Sequence, residues 1–309
     1  MKIIIGGGTG FVGRTLVPEL LKAGHHITVV GRDTDKISRT FSANVATLSW
    51  RELSNCQPDD YDAVINLAGA NISGRRWTEA YKSELLSSRV QSTLALVEWC
   101  ESAHTRKPHL YNASAIGYYG LQSVMKDQQP ACTENDIVDD QTDTSFSGNL
   151  VRAWERAALS SDSIKVTVMR FGVVLRRGEG MLKQLELPAK FGLGAVVGSG
   201  KQPLTWIDAD DLVSAMIFLL EHPAITGVVN LTALEVVTQK QFTHAMSDVL
   251  HKPSLLWLPA IVVKMLFGQM GVELLLSGQA VYPLRLQELH FKFKYPTLQS
   301  ALQHEYSGK

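Results

Sequence analysis

Cysteine is scarce in this chain. Its 309 residues hold three, Cys56, Cys100 and Cys132, far apart and with no Cys-x-x-Cys pair. That spacing speaks against a zinc site and a disulfide framework, and a reducing compartment, the cytoplasm, suits it best. The nine histidines show no His-Glu-x-x-His or similar ligand spacing, so no metal is expected. An excess of one charge is also lacking, since 30 basic residues balance 30 acidic ones. Nucleic acid and anionic membranes both reward basic patches, and Arg75-Arg76 is too small a cluster to make either a main partner. Long hydrophobic runs are missing as well. The longest, "LLWLPAIVVKMLF" over 255–267, is broken by Pro259 and Lys264 and is too short to span a bilayer. It reads as a buried helix, or as one that grips a partner. The apolar stretch at the start is too short for a signal peptide and runs straight into glycines. There are no internal repeats and no low-complexity segments.

What is present is an ordinary core-forming composition, 45% apolar, arranged in alternating strand and helix patterns. Strands are expected over 2–5, 27–30, 63–67, 109–113, 165–171 and 228–231. Helices are expected over 11–23, 77–100, 149–159 and 211–220, and another opens at Thr238, where Gln241 has capping-box spacing. Pro18 inside the first helix removes one backbone hydrogen bond and suggests a kink. The order predicts an α/β fold, a Rossmann-like doubly wound parallel sheet covered on both faces. Residues 1–232 form the dinucleotide-binding domain, with a glycine-rich inserted lobe over about 172–207. Residues 233–309 form a smaller C-terminal lobe.

The chain opens "MKIIIGGGTGFVG". Gly8, Gly10 and Gly13 match G-x-G-x-x-G, and Gly7, Gly10 and Gly13 match a wider G-x-x-G-x-x-G. A turn at Gly8 would leave two glycines in or just after the strand, where they weaken it, so the wider spacing fits better. Gly7 then makes the turn, Gly10 allows close approach of a pyrophosphate, and Gly13 permits helix–strand packing. Thr9, Phe11 and Val12 complete a loop whose backbone N–H groups face the phosphates at a helix N-terminus. No Gly-Lys-Ser/Thr follows, which excludes a mononucleotide P-loop. The second strand ends Val30-Gly31-Arg32, where an NAD site usually carries a carboxylate for the ribose 2′-OH. Gly31 leaves room for a 2′-phosphate and Arg32 offers a fork suited to its oxygens, which favours NADP(H) over NAD(H). The alternative is a solvated Arg32 with Asp33 turned inward.

These motifs, followed in order by "INLAGANI", "NASAIGYYG", "RFGVVL" and "WIDADDL", resemble the extended and atypical short-chain dehydrogenase/reductases over nearly the whole chain. More narrowly, "RRW" at 75–77, "SR" at 88–89, "WE" at 154–155 and "FGLGAVVGSGKQPLTWI" at 191–207 look like the epimerase family proteins, kin to sugar-nucleotide epimerases. The tail from Pro253 is similar to that group's C-terminal domain of unknown function. The resemblance implies that Leu67, Ala68 and Gly69 line the adenine-ribose and phosphate side of the cofactor. It places Phe171 and Gly172 near the nicotinamide end.

The same resemblance implies a Tyr-x-x-x-Lys pair and a Ser or Thr for proton transfer. Counted back from Glu155, the tyrosine position falls on Ser147 and the lysine position on Val151; a one-residue slip gives Phe146 and Leu150. The Ser/Thr position falls on Ala115, with Ser114 one residue away. The dyad is therefore missing. Arg152 cannot replace the lysine in kind, although a fixed cation could steady an oxyanion. Ser114, Tyr118 and Tyr119 are the candidate catalytic residues, with aromatic packing as the competing reading for the tyrosines. Arg76 and Trp77 would border a substrate or merely begin a helix. Asp208, Asp210 and Asp211 would be an acid/base cluster or, better, helix-capping groups; the family often has His where Asp208 stands. Two readings follow. One is an NADP(H)-dependent oxidoreductase or nucleotide-sugar-epimerase-like enzyme of unknown small-molecule substrate with a non-standard proton donor. The other is a non-catalytic NADP(H)-binding or sensing protein acting through a partner. A homodimer through the helices over 77–100 and 149–159 would suit the superfamily.

Overall fold

A computed structural model describes residues 1–41, 44–125, 130–138 and 140–306. Its first strand, β1 (Lys2–Gly6), buries Ile3, Ile4 and Ile5 completely. An apolar run buried on both faces is what a central strand of a parallel sheet requires. The chain then alternates through α1 (Phe11–Lys22), β2 (His26–Gly31), α2 (Thr34–Thr40), β3 (Val45–Ser49), β4 (Ala63–Asn66), α3 (Glu79–Glu101), β5 (His109–Ala115), α4 (Phe146–Ala158) and β6 (Val166–Phe171). Next come β7 (Val173–Leu175), α5 (Gly180–Lys190), β8 (Ala195–Val197), β9 (Pro203–Asp208), α6 (Ala209–Glu221) and β10 (Gly227–Leu231). The chain ends with β11 (Val236–Thr238), α7 (Gln239–Val249), β12 (Leu256–Leu258), α8 (Ala260–Leu274), α9 (Leu284–Glu288) and α10 (Leu298–Tyr306).

Seven strands form one parallel sheet in the order β10-β6-β5-β4-β1-β2-β3. The side-chain alternation of β1 divides the core. Ile3 and Ile5 pack with Leu16, Val17 and Leu20 of α1 and Met216 and Leu219 of α6. Ile4 packs on the other face with Leu96, Val97 and Cys100 of α3 and Ala158 of α4. The strand order reverses between β1 and β4, and that switch point opens a crevice at the carboxyl ends of the strands.

The remaining strands belong to smaller sheets. β7 runs parallel to β9, β9 pairs antiparallel with β11, and β8 pairs parallel with β12. The glycine-rich stretch is thus hydrogen-bonded to chain beyond residue 232. A third core, with Trp206, Phe242, Met246, Leu298 and Leu302, fills the space between.

Among the elements absent from the sequence reading, α2 and β3 lie nearest the glycine loop. Asp33 starts α2 by accepting the Lys36 N–H (2.8 Å), and β3 is an edge strand in which only Val45 is buried, so neither carries an apolar periodicity. α1 continues through Pro18 to Lys22. The oily stretch over 255–267 is not a buried helix. It becomes the short strand β12 and the start of α8, with Leu255 82%, Ile261 68% and Met265 73% exposed.

Helix α1 sits so close to the loop before it that a Cβ on Gly13 would lie 2.1 Å from the Gly8 carbonyl oxygen. Gly13→Ala is expected to destabilise the fold by about 2 kcal/mol, the scale of an overpacked core position. Urea unfolding measures this, and an unchanged midpoint would mean that helix and loop are not packed this tightly.

Candidate functional site

The glycine loop owes its shape to sterics at two places. Gly7 adopts φ +76°, and a Cβ there would lie 2.6 Å from the Leu67 carbonyl oxygen and 2.7 Å from the Ala68 nitrogen. The turn after β1 is therefore pressed backbone to backbone against the loop after β4. Gly10 is the N-cap of α1 and donates its N–H to the Gly7 carbonyl (3.0 Å). Thr9, Phe11 and Val12 stand between these glycines at the head of α1, partly exposed, over the crevice. The Thr9 carbonyl accepts from Arg14 Nη1 (2.8 Å), and Arg14 Nη2 reaches Glu179 (2.5 Å). Position 180 approaches the Phe11 ring, with an ideal Cβ 3.5 Å from it. The turn before α5 therefore leans over the start of α1.

On one side of this loop, β2 ends at Gly31, where a Cβ would meet Ile37 at 3.0 Å. Asp33 is spent on capping α2, so it does not turn into the crevice. Arg32 is exposed and makes no hydrogen bond or ion pair among the described residues. On the other side, the Leu67 N–H donates to the Gly6 carbonyl (2.8 Å) and the Ala68 N–H to Asn66 Oδ1 (3.1 Å), which shapes the Leu67-Ala68-Gly69 loop. Beneath it Asn66 Nδ2 donates to Asn112 Oδ1 (2.6 Å) and Thr93 Oγ1 (2.8 Å), and Trp154 Nε1 also donates to that hydroxyl (3.0 Å). Phe171 and Gly172 close the far end. The Gly172 N–H donates to the Leu231 carbonyl (3.1 Å), and a Cβ there would lie 3.2 Å from the Thr205 carbonyl oxygen.

Ser114, Tyr118 and Tyr119 come together around one buried guanidinium, that of Arg170. Arg170 forms a two-pronged pair with Glu155 (2.8 and 2.7 Å), and both side chains are buried. Ser114 Oγ donates to the same carboxylate (2.5 Å). The Arg170 cation lies 3.4 Å from the Tyr118 ring centroid and 4.9 Å from that of Tyr119. The Tyr119 hydroxyl donates to Asn230 Oδ1 (2.9 Å), and burial pushes its pKa up to about 12. The protons of Ser114 and Tyr119 are thus committed to neighbours. The partly exposed Tyr118 makes no hydrogen bond through its hydroxyl among the described residues. It lines a surface cavity with Arg152, Arg156, Leu159 and Val228, on the β10 side of α4.

Ser147 and Val151 flank Gly117, the first residue but one after β5. They stand where the resemblance puts the tyrosine and lysine, but the surroundings differ from an acid's. The Ser147 N–H (2.8 Å) and Oγ (2.7 Å) both donate to Glu273 Oε2, and the Phe146 N–H donates to Oε1 (3.1 Å). Glu273 comes from α8 and is buried at the N-terminus of α4, where the helix dipole favours a negative charge. Gln269 Nε2 also donates to it (2.7 Å), but the α4 groups it caps lie more than a hundred residues earlier, so the local sequence does not mark that role. Arg152 is tied to Asp140 (2.6 Å) and Asp143 (3.0 Å), which removes it as an oxyanion donor. Trp77 is a packing residue, donating to the Ile72 carbonyl (2.8 Å) with its ring edge-on to Phe146.

The three aspartates before α6 have separate tasks. Asp208 caps the helix through the Asp210 N–H (2.8 Å), Asp210 pairs with Arg176 and with His304 (3.0 Å), and Asp211 accepts the Lys294 and Tyr295 N–H groups (2.7 and 2.9 Å). Ligand-type atoms of Asp208, Asp210 and His304 lie within 4.8 Å of one another, but both Asp210 oxygens are already bonded to protein groups. Asp208 is fully buried with Oδ2 unpartnered. Burial first, and then the charges of Glu305 and Asp210, raise its pKa to about 7.

The chain belongs to the NAD dependent epimerase/dehydratase family, whose model matches residues 3–231; residues 258–305 match a domain of unknown function (DUF1731). It is 36% identical over 306 residues to an epimerase family protein of Staphylococcus aureus, covering 98% of each chain. Among solved structures it is similar to human epimerase family protein SDR39U1 determined with NADPH (TM-score 0.89, 32% identity, 100% of each chain). It is also similar to a nucleoside-diphosphate sugar epimerase from Corynebacterium glutamicum (TM-score 0.74, 25% identity), covering 99% of this chain and 58% of that one. Among the described residues no helix is long and apolar enough to cross a membrane.

Folded Asp208 holds its proton up to about pH 7, whereas an unfolded carboxyl releases it near 3.8. The folded state therefore binds more protons across that window, and its stability falls as pH rises through it. Asp208→Asn keeps a side-chain oxygen for the cap and lacks this titration. Urea unfolding at pH 5 and pH 8 should show the variant gaining stability relative to wild type at the higher pH; an equal difference at both would contradict the raised value.

Proposed function

We propose that this chain binds NADP(H) across the β1–β4 switch point and uses it as an oxidoreductase or nucleotide-sugar-epimerase-like enzyme on a small-molecule substrate. The observation that carries the cofactor choice is at the end of β2. With Asp33 held in the α2 cap, the residue offered to the ribose is Arg32, exposed and unpaired among the described residues. A guanidinium there attracts a 2′-phosphate and offers nothing in particular to a 2′-hydroxyl. The NADPH in the human relative's structure supports the same choice.

Gly7, Thr9, Gly10, Phe11, Val12 and Gly13 would hold the diphosphate on backbone N–H groups at the head of α1. The cradle fits such a group, because the backbone at Gly7 and Gly10 has no side chain in the way. Leu67, Ala68 and Gly69 would line the ribose side, and Phe171 and Gly172 the nicotinamide end. The bound dinucleotide supplies or removes hydride. The protein must then move a proton without the Tyr-x-x-x-Lys pair. Among Ser114, Tyr118 and Tyr119, Tyr118 is the candidate donor, because its hydroxyl has no protein partner among the described residues.

Titration with NADPH and NADH tests the cofactor reading. Wild type should prefer NADPH, and Arg32→Ala should weaken NADPH by about tenfold, the scale of one charge-assisted hydrogen bond, while leaving NADH nearly unchanged. Tighter binding of NADH by wild type would overturn the choice. A panel of carbonyl compounds and nucleotide sugars, followed by NADPH consumption and epimer formation, tests the reaction. Tight cofactor binding with no turnover across the panel would count against an enzyme, and full turnover by Tyr118→Phe would remove that residue from it.

A further inference from the structure

The last third of the chain carries an apolar surface that the fold leaves uncovered. Among the described residues, most exposed large apolar side chains fall in two segments, 185–193 and 255–266. Strand pairing brings these segments side by side. Leu193 bridges to Ser254, β8 runs along β12 with Leu256 beside Ala195 and Leu258 beside Val197, and a Cβ on Gly192 would lie 3.3 Å from the Pro253 ring. Phe191 (73% exposed) and Leu193 therefore stand near Leu255 and Trp257 (65%), and α8 follows directly, with Ile261 and Met265 on one helix face. Exposures of this size leave roughly 800 Å² of these six residues in water, about what each partner covers in a standard interface. Monomeric proteins rarely expose one apolar patch of that extent.

β12 also has an open edge. The Leu258 carbonyl accepts the Gly198 N–H (2.9 Å), so Leu256 and Leu258 turn their backbone groups to β8 and Trp257 turns its own away. Among the described residues no further strand pairs with that side. The Trp257 ring is already held in place, with Nε1 donating to the Gly198 carbonyl (2.6 Å), so little side-chain freedom is lost on binding. Lys252 and Lys264 border the patch and would suit an anionic bilayer, but hydrocarbon has no donors or acceptors for an open strand edge. A second copy supplies both an equal apolar face and an equal edge, since a twofold axis sets a strand antiparallel to itself. The chain carries no net charge to oppose the approach. The outer faces of α3 and α4 compete poorly. Among the described residues α3 exposes one large apolar side chain, Leu86, and α4 exposes none. We infer that the β12–α8 face is a homodimer surface, in which β12 pairs antiparallel with its counterpart about Trp257 and joins the two small sheets into one of four strands. Residues before Trp257 in one copy then lie along those after it in the other, which brings Ile261 and Met265 toward Phe191, Leu193 and Leu255 of the second copy.

Sedimentation equilibrium of the full chain measures the association. Wild type should be largely dimeric at about 50 μM, since interfaces of this area bind in the micromolar range or tighter. Leu255→Glu and Ile261→Glu each place a charge in the contact and should raise the dimer Kd by about tenfold or more. Both side chains are exposed in the single chain, so thermal unfolding of the dilute variants should match that of dilute wild type. Leu86→Glu on α3 should leave the dimer intact. Trp257→Cys should form a dimer cross-linked under mild oxidation, which wild type, with its three cysteines elsewhere, should not. A monomeric wild type at that concentration would overturn the inference. So would a dimer that Leu86→Glu breaks while Leu255→Glu and Ile261→Glu leave it whole. A monomer that binds phosphatidylglycerol vesicles, and loses them in Leu255→Glu, would give the surface to a membrane instead. A dimer in which Trp257→Cys fails to cross-link would overturn the strand pairing.

Discussion

The site depends on a contact that involves no side chain. The turn after β1 and the loop after β4 meet backbone to backbone at the point where the strand order reverses, and neither Gly7 nor Gly13 has room for a methyl group. That closeness sets the head of α1 against the crevice and aims its free N–H groups outward. A larger residue at either glycine would force the loop, the helix and the sheet apart at this seam.

The wall on the β5–α4 side is held differently, by polar groups sealed from water. Asn66, Asn112, Thr93 and Trp154 form one hydrogen-bonded cluster, and Ser114, Glu155 and Arg170 form another above it. Such networks fix a packing when every member is satisfied. Glu273 adds a carboxylate from the C-terminal lobe at the head of α4. Where the resemblance puts a phenol tuned for proton transfer, this chain has a short hydroxyl tied to a base. The family's Tyr-x-x-x-Lys pair is therefore not kept along with its fold.

How much of this was legible in the sequence follows from the range of the forces involved. The glycine register could be read because its demand is steric and local: a strand, a turn and a helix start within a dozen residues. The missing Tyr-Lys pair could be read for the same reason. The α2 cap needed knowledge of where Asp33 would turn, and β3 is an edge strand with too little buried surface to leave a pattern. The oily segment over 255–267 misled, because apolar content alone does not say which side is covered. The capping role of Glu273 and the Glu155–Arg170 pair were out of reach for another reason. The partners sit on different elements, and an arginine with a carboxylate looks the same in sequence as one without.

The contacts of the last third of the chain set an order on biogenesis. β8 finds its parallel partner only when β12 has been made, and the head of α4 receives its carboxylate only when α8 has been made. The last strand of the large sheet, β10, precedes both in the chain, but the core on one face of that sheet also takes in Leu286 from α9. The wall facing the crevice stays unfinished until the C-terminal residues arrive. A chain cut short before α8 would lack the Glu273 carboxylate at the head of α4 and, in the main core, the buried Leu286.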